Sequence, residues 1–183
     1  KKVAVSVRSW KHDDRDESHY INMISKMVAL LLERGYSIEF ISTCQGLKGY
    51  RDDSVIAEDM LSRLPNKEGV VVNKNFYRLD EFQDHLSNFQ LVIGTRLHMC
   101  ITSMLSGIPS LNISYEVKGK EVYDYLKLSD YTVDYNSNIE SSLSTLEKFL
   151  SDQNQIAFRL DDLMIDQNRK AEEFLGNFLL TIS

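Results

Sequence analysis

Two basic side chains, Arg96 and His98, stand two positions apart in the stretch GTRLHMCITSMLSG that runs from Gly94 to Gly107. The stretch follows the apolar run LVI and opens a helical pattern, so both fall at the start of a helix. That end of a helix carries positive partial charge and disfavours a cation by roughly 0.3–1 kcal/mol. Free backbone N–H groups, a guanidinium and an imidazole converging on one point form a receptor for phosphate or carboxylate. A bound anion would offset the unfavourable placement. Leu97, Ile101, Met104 and Leu105 are expected to face the core, which turns His98 and Thr102 outward, with Thr95 as the N-cap. The plainer alternative is that Arg96 pairs with a neighbouring carboxylate and His98 is a packed polar residue.

Other residues could serve the same anion. Arg8 ends the buried-type strand pattern VAVSV, and its planar fork suits bidentate binding of a carboxylate or an ordinary structural ion pair. Lys118 and Lys120 flank Gly119 in YEVKGK, where either could meet a phosphate as a point charge, though surface lysines are common. Gln45, Asp53 and Lys120 are further candidates on the same rim. An N-cap role is the simpler account for one of Asp52 and Asp53, while a rim position would also suit a base. The run HDDRDESH, with His12, Asp13, Asp14, Asp16 and His19, has no spacing of a known metal site and reads as a solvated loop, so no metal is expected. Cys44 and Cys100 are expected to be ordinary unpaired thiols. The chain contains no G-x-G-x-x-G, Walker or G-x-S-x-G motif.

The elements that must position these residues alternate regularly. Val3, Val5 and Val7 mark a first strand ending at Arg8. Ile21, Ile24, Val28 and Leu31 mark a helix closed by Gly35. SIEFIS is a second strand, followed by a helix carrying Val55, Ile56, Met60, Leu61 and Leu64 that stops before Pro65. GVVV, a helix with Leu79, Phe82, Leu86 and Phe89, then LVI, the helix after Arg96 and PSLNI follow in turn. A helix over about 118–128 and the short strand YTV come next. Roughly the last fifty residues read as helices, with Leu143, Leu146, Leu150, Phe174, Leu175 and Phe178 facing inward. Strands separated by helices imply a doubly wound, Rossmann-like α/β domain over residues 1–183, with helices on both faces of a parallel sheet. Such folds bind ligands beyond the carboxyl ends of their strands. There lie Arg8, the segment 44–53, the segment 95–98 and the segment 115–120. Cations dominate this rim in a chain whose net charge is −6, which points to an anionic ligand.

The acidic balance argues against nucleic acid as a partner. Two cysteines without framework spacing fit a reducing compartment. The longest apolar run, MVALLL, is far too short for a membrane span, and the first residues lack a signal-peptide core. The expected location is the cytoplasm, including attachment at the inner face of the membrane. The chain begins without Met and enters a strand at once, so it is expected to be one domain of a larger enzyme.

Taken together, VAVSVRSW, FISTCQGLKGYRDDSVIAEDM and LVIGTRLHMCITSMLSGIPSLNISYEVKGKEVYDYLKL resemble the C-terminal half of the polysaccharide pyruvyl transferase family. The combination G-T-R-L-H, G-I-P and Y-x-x-K carries most of that likeness. The resemblance implies one half of a two-domain, GT-B-like architecture. It also implies transfer of a pyruvyl group from phosphoenolpyruvate to sugar hydroxyls as a ketal, with no cofactor beyond that donor. Arg96 and His98 are then the expected catalytic residues, with Arg8, Thr95, Arg96, His98 and Lys118 binding the donor. The implied partners are a glycan or lipid-linked sugar acceptor, an N-terminal domain, without which the isolated half is expected to be inactive, and a second copy in a homo-oligomer. Two rivals stand beside this reading. One is a half-domain of a nucleotide-sugar glycosyltransferase, for which Glu116 and Asp124 loosely match a paired acidic motif. The other is a binding or assembly module of the same fold without chemistry.

Overall fold

β1 (Lys2–Ser6), β2 (Ser37–Ile41), β3 (Val70–Asn73), β4 (Leu91–Gly94), β5 (Ser110–Ser114) and β6 (Thr132–Asp134) pair in parallel throughout, in the order β3-β2-β1-β4-β5-β6. The computed structural model describes residues 1–9, 15–45 and 52–181, with side chains through residue 173. The strands are linked by α1 (Glu17–Glu33), α2 (Asp53–Arg63), α3 (Leu79–Leu86), α4 (Leu97–Leu105) and α5 (Val117–Tyr125). A 3-10 turn at Ser129–Tyr131 leads into β6, and α6 (Ile139–Thr181) completes the chain. The doubly wound α/β reading is therefore the observed fold.

Alternation along β1 shows why both faces must be covered. Val3 and Val5 join the larger core, with Tyr20, Ile24 and Leu31 of α1 and Leu146, Phe149 and Ile156 of α6. Ala4 points the other way, into a smaller cluster with Leu86, Phe89, Val92 and Met99 under α3 and α4. A strand with apolar residues on successive positions is stable only between two layers. Asp16 caps α1, its Oδ1 accepting from the N–H groups of Ser18 (2.9 Å) and His19 (3.1 Å). Gly35, with φ +79°, closes that helix in a conformation that costs glycine nothing.

Several expected details differ. Val7 is buried but lies beyond β1, and Phe89 is buried beyond the end of α3. Val55 and Leu79 are exposed, because only one side of α2 and α3 meets the sheet. In α4 the buried residues are Met99, Cys100, Ser103 and Met104, whereas Leu105 is exposed and Leu97 and Ile101 are only partly covered. The small side chains of Cys100 and Ser103 let α4 approach the sheet, and a pattern weighted by apolar size overlooks them. The expected C-terminal helices are one helix of 43 residues. No Gly or Pro interrupts it before Gly176. Leu146, Phe149, Ile156 and Leu160 are its buried anchors, and no described side chain beyond Leu163 is buried. The expected inward positions of Phe174, Leu175 and Phe178 lie outside the described side chains, as do His12, Asp13 and Asp14 of the acidic run. Among the described residues, no helix is long and apolar enough to cross a membrane.

Candidate functional site

The strand order reverses direction between β1 and β4, and in a doubly wound sheet a crevice opens at that point beyond the carboxyl ends. Ser6 and Gly94 are the last paired residues of those two strands. Ser6 then holds the chain leaving β4. Its carbonyl accepts from the Thr95 N–H at 3.1 Å, and its hydroxyl accepts from the Arg96 N–H at 3.1 Å. Gly94 is required at this turn, because a Cβ there would stand 2.3 Å from the buried Cys100 Sγ.

Tyr20 ties the two exits together. Its buried hydroxyl accepts from the Arg8 N–H at 3.3 Å and shares a 2.7 Å hydrogen bond with Thr95 Oγ1. The ring stacks on Tyr135 with centroids 4.2 Å apart. Burial pushes this phenol far above its ordinary pKa, against the hydrogen bond from Thr95, so it remains neutral. Thr95 is consequently not the N-cap. Its hydroxyl is turned inward to Tyr20, and Arg96 occupies the cap position without a side-chain capping bond.

Arg96 uses one edge of its fork on Asp53, with Nε to Oδ2 at 2.9 Å and Nη2 to Oδ1 at 2.6 Å. The carboxylate neighbour anticipated as the plainer alternative is thus present. Nη1 takes no part in that pair. Burial raises the Asp53 carboxyl pKa, against the opposing pull of Arg96 and then of Arg8. Burial alone would lower the Arg96 pKa, and the hydrogen bonds and charge of Asp53 turn the net shift upward. Asp52, not Asp53, caps α2, accepting from the Ser54 N–H at 2.8 Å. Desolvation works against its charge, but hydrogen bonds from Ser54 and Ser42 and the charge of Lys74 lower its pKa overall.

Arg8 stands on the β5 side of the crevice. Its guanidinium lies 4.5 Å from the centre of the Tyr115 ring and Nη1 donates to the phenolic oxygen. His98 is exposed in the first turn of α4, and its imidazole hydrogen-bonds no described side chain. Lys118 pairs with Glu116 at 2.9 Å, and Lys120 with Asp134 at 2.5 Å. The hydrogen bond and charge of Glu116 raise the Lys118 pKa. The fold therefore gathers Arg8, Thr95, Arg96 and Asp53 around the β1–β4 exit, with His98 beside them in the first turn of α4. Lys118, though paired with Glu116, lines a small crevice with Thr95 and Tyr115, whereas Lys120 is engaged by Asp134. Asp16 and His19 of the acidic run are structural: His19 Nε2 lies 2.7 Å from the Ser137 carbonyl oxygen. Burial pushes the Cys100 thiol up to about 12, which removes it as a nucleophile. Glu116 and Asp124 are occupied by Lys118 and by the Ser129 hydroxyl (3.0 Å).

Beyond His98 a pocket of about 460 Å³ opens toward β2 and β3, with Gln45, Asn75, Phe76, Tyr77 and Thr102 in its walls. Sequence reasoning passed over its aromatic side. The signal was present in NKNFY, which follows the third strand on the same rim as the cations. Ser6 and Tyr20 were also missed, since their roles depend on contacts across 90 and 75 positions of chain.

Comparison with known proteins bears on what this arrangement serves. The amylovoran biosynthesis protein AmsJ of Erwinia amylovora is 33% identical over 155 residues, covering 78% of this chain and 36% of AmsJ. The chain thus spans little more than a third of that relative's length. In three dimensions, a mutant O-GlcNAc transferase of Thermobaculum terrenum superposes with a TM-score of 0.63 over 90% of this chain and 32% of its own. At 11% identity that likeness speaks for the fold alone. The family profile described as polysaccharide pyruvyl transferase matches residues 5–117, which include Arg8, Asp53 and the segment from Thr95 to His98. The chain belongs to the polysaccharide pyruvyl transferase family.

Proposed function

We propose that this chain is the donor-binding half of an enzyme that transfers a pyruvyl group from phosphoenolpyruvate to two hydroxyls of a polysaccharide sugar. The observation that carries the reading is the grouping of Arg8, Arg96 and His98 around the N-terminus of α4 at the β1–β4 exit. Phosphoenolpyruvate places a carboxylate and a phosphate on three carbons, so two guanidinium groups and a helix N-terminus can hold both ends. Asp53 fixes one edge of Arg96 and leaves Nη1 for the anion.

This placement supports ketal formation by addition and elimination at C2 of the donor. A proton added to the methylene carbon makes C2 electrophilic. One sugar hydroxyl attacks C2, the C2–O bond to phosphate breaks, and a second hydroxyl closes the ketal. Of the two hydroxyl protons, one balances the new methyl group and the other leaves with phosphate. His98 is the proposed proton donor, and the arginines stabilise charge on the departing group. An N-terminal domain is proposed to complete the cleft, so that this half alone binds the donor without turning it over. The protein is proposed to work in the cytoplasm, including at the inner face of the membrane.

The test is kinetic and uses the complete enzyme. His98→Gln is expected to keep donor affinity within several-fold while turnover falls by about 10²–10⁴. Arg96→Lys is expected to act mainly on affinity, because an ammonium cannot both pair with Asp53 and reach the anion. Unchanged turnover in His98→Gln would remove the histidine from the mechanism. Stabilisation of this chain by UDP, and not by phosphoenolpyruvate, would favour a nucleotide-sugar donor instead.

A further inference from the structure

We infer that the pocket beside His98 is a subsite for the acceptor, holding a neutral pyranose ring with its apolar face against Phe76 and Tyr77. The inference rests on the pyruvyl-transfer reading and adds to it that this half of the enzyme also contacts the sugar.

The pocket lies beyond the carboxyl ends of β2 and β3, and α4 contributes His98, Met99 and Thr102 to its wall. His98 therefore borders both the proposed donor position and this cavity. Ketal formation needs two hydroxyls of one sugar brought against C2 of the donor, and a cavity sharing the proton donor meets that requirement. Its volume of about 460 Å³ lies within the range of small-ligand sites. Among the described residues its lining bears no ionisable group other than His98, Cys44 and Tyr77, which favours a neutral occupant.

The lining suits a sugar. Phe76 and Leu79, 82% and 69% exposed, together present apolar surface to this pocket. Tyr77 is fixed from behind: its ring stacks on His85 at 4.9 Å, and its hydroxyl accepts from Asn73 Nδ2 at 2.6 Å. Asn73 Nδ2 also donates to Glu39 Oε1, which lies 2.7 Å from His85 Nε2. This network joins β2, β3 and α3 and holds the Tyr77 ring in place before any ligand arrives. The C–H face of a pyranose is electropositive and complements the electron-rich ring faces. Around it stand Thr43, Thr102 and Gln45, whose Nε2 is buried with no hydrogen-bond partner among the described residues. A sugar hydroxyl supplies the acceptor that this amide lacks.

Saturation-transfer NMR on this chain tests the inference, using methyl galactoside, methyl glucoside and methyl mannoside at concentrations up to about 50 mM, with uridine as comparator. Phosphoenolpyruvate affinity is measured separately. At least one pyranoside is expected to show saturation of its ring protons. Phe76→Ala should weaken that binding about five- to tenfold, while Phe76→Tyr retains it. Phe76 is at the surface, so neither change should disturb the fold or donor affinity. Absence of binding by all three pyranosides, binding that survives Phe76→Ala, or preference for uridine would overturn the inference even if phosphoenolpyruvate binds. Pyranoside binding dependent on Phe76 without any phosphoenolpyruvate affinity would leave the sugar site standing and reject the donor reading.

Discussion

Gly94 and Cys100 meet at the turn that presents Arg96. The 2.3 Å approach of a Cβ at position 94 to the thiol leaves no room for alanine. Gly94→Ala should therefore destabilise the protein by about 1–3 kcal/mol in chemical denaturation. Removing the sulfur relieves the clash, so Gly94→Ala with Cys100→Ala should cost less than the two changes summed, by on the order of 1 kcal/mol. Simple additivity would show that α4 moves aside instead. Asp53 is the second residue whose loss should register. Asp53→Ala leaves a guanidinium only 16% exposed without its partner and should cost about 2–4 kcal/mol, whereas Asp53→Asn keeps an acceptor and should cost less. A melting curve for the alanine variant that overlays the parent would show the pair to be energetically idle.

At the scale of elements, helix ends and strand ends give separable contributions. Asp16 satisfies two N–H groups of α1, and Asp16→Ala should cost about 1 kcal/mol. Asp134, at the end of β6, bonds Lys120 and the Asn136 N–H. Desolvation opposes its charge, but Lys120 and that N–H outweigh it and lower the carboxyl pKa. A carboxyl lowered on folding stabilises above its unfolded value of about 3.9 and loses that contribution as pH falls through the lowered value. The pair is largely solvent-exposed, so Asp134→Asn should cost only about 0.5 kcal/mol at neutral pH. Thermal midpoints of the two proteins should converge as the pH is taken below the carboxylate range. A constant gap would show that the charge plays no part.

For the whole molecule, α6 divides into an anchored and an unanchored part. Ile156 and Leu160 lie in the core beside Leu146 and Phe149, while described side chains beyond Leu163 are all at least partly exposed. A chain ending at residue 164 should melt within about 4 °C of the parent, a change of no more than ~1 kcal/mol. Ending the chain at residue 155 removes two buried side chains worth about 1.5–3 kcal/mol each and should lower the midpoint far more. Equal losses from both truncations would mean that the distal helix carries contacts of its own.

The alternation of apolar strand runs with helical periods was enough to determine a doubly wound parallel sheet, because strands apolar on both faces must lie between helix layers. The rim cations were legible for the same reason, since Arg8, Arg96 and His98 directly follow strand patterns. Local pattern could not decide which partners those residues meet. That Arg96 turns one edge to Asp53, that Thr95 bonds Tyr20 instead of capping α4, and that Ser6 accepts from Arg96 depend on elements 43 to 90 residues apart in the chain. The aromatic residues Phe76 and Tyr77 share a pocket with His98 only because the carboxyl ends of β2 and β3 and the first turns of α4 open onto one cavity. Sequence periodicity reports which face of an element is buried. The neighbours across that face are set by strand order and close packing, and those were decided by the tertiary structure alone.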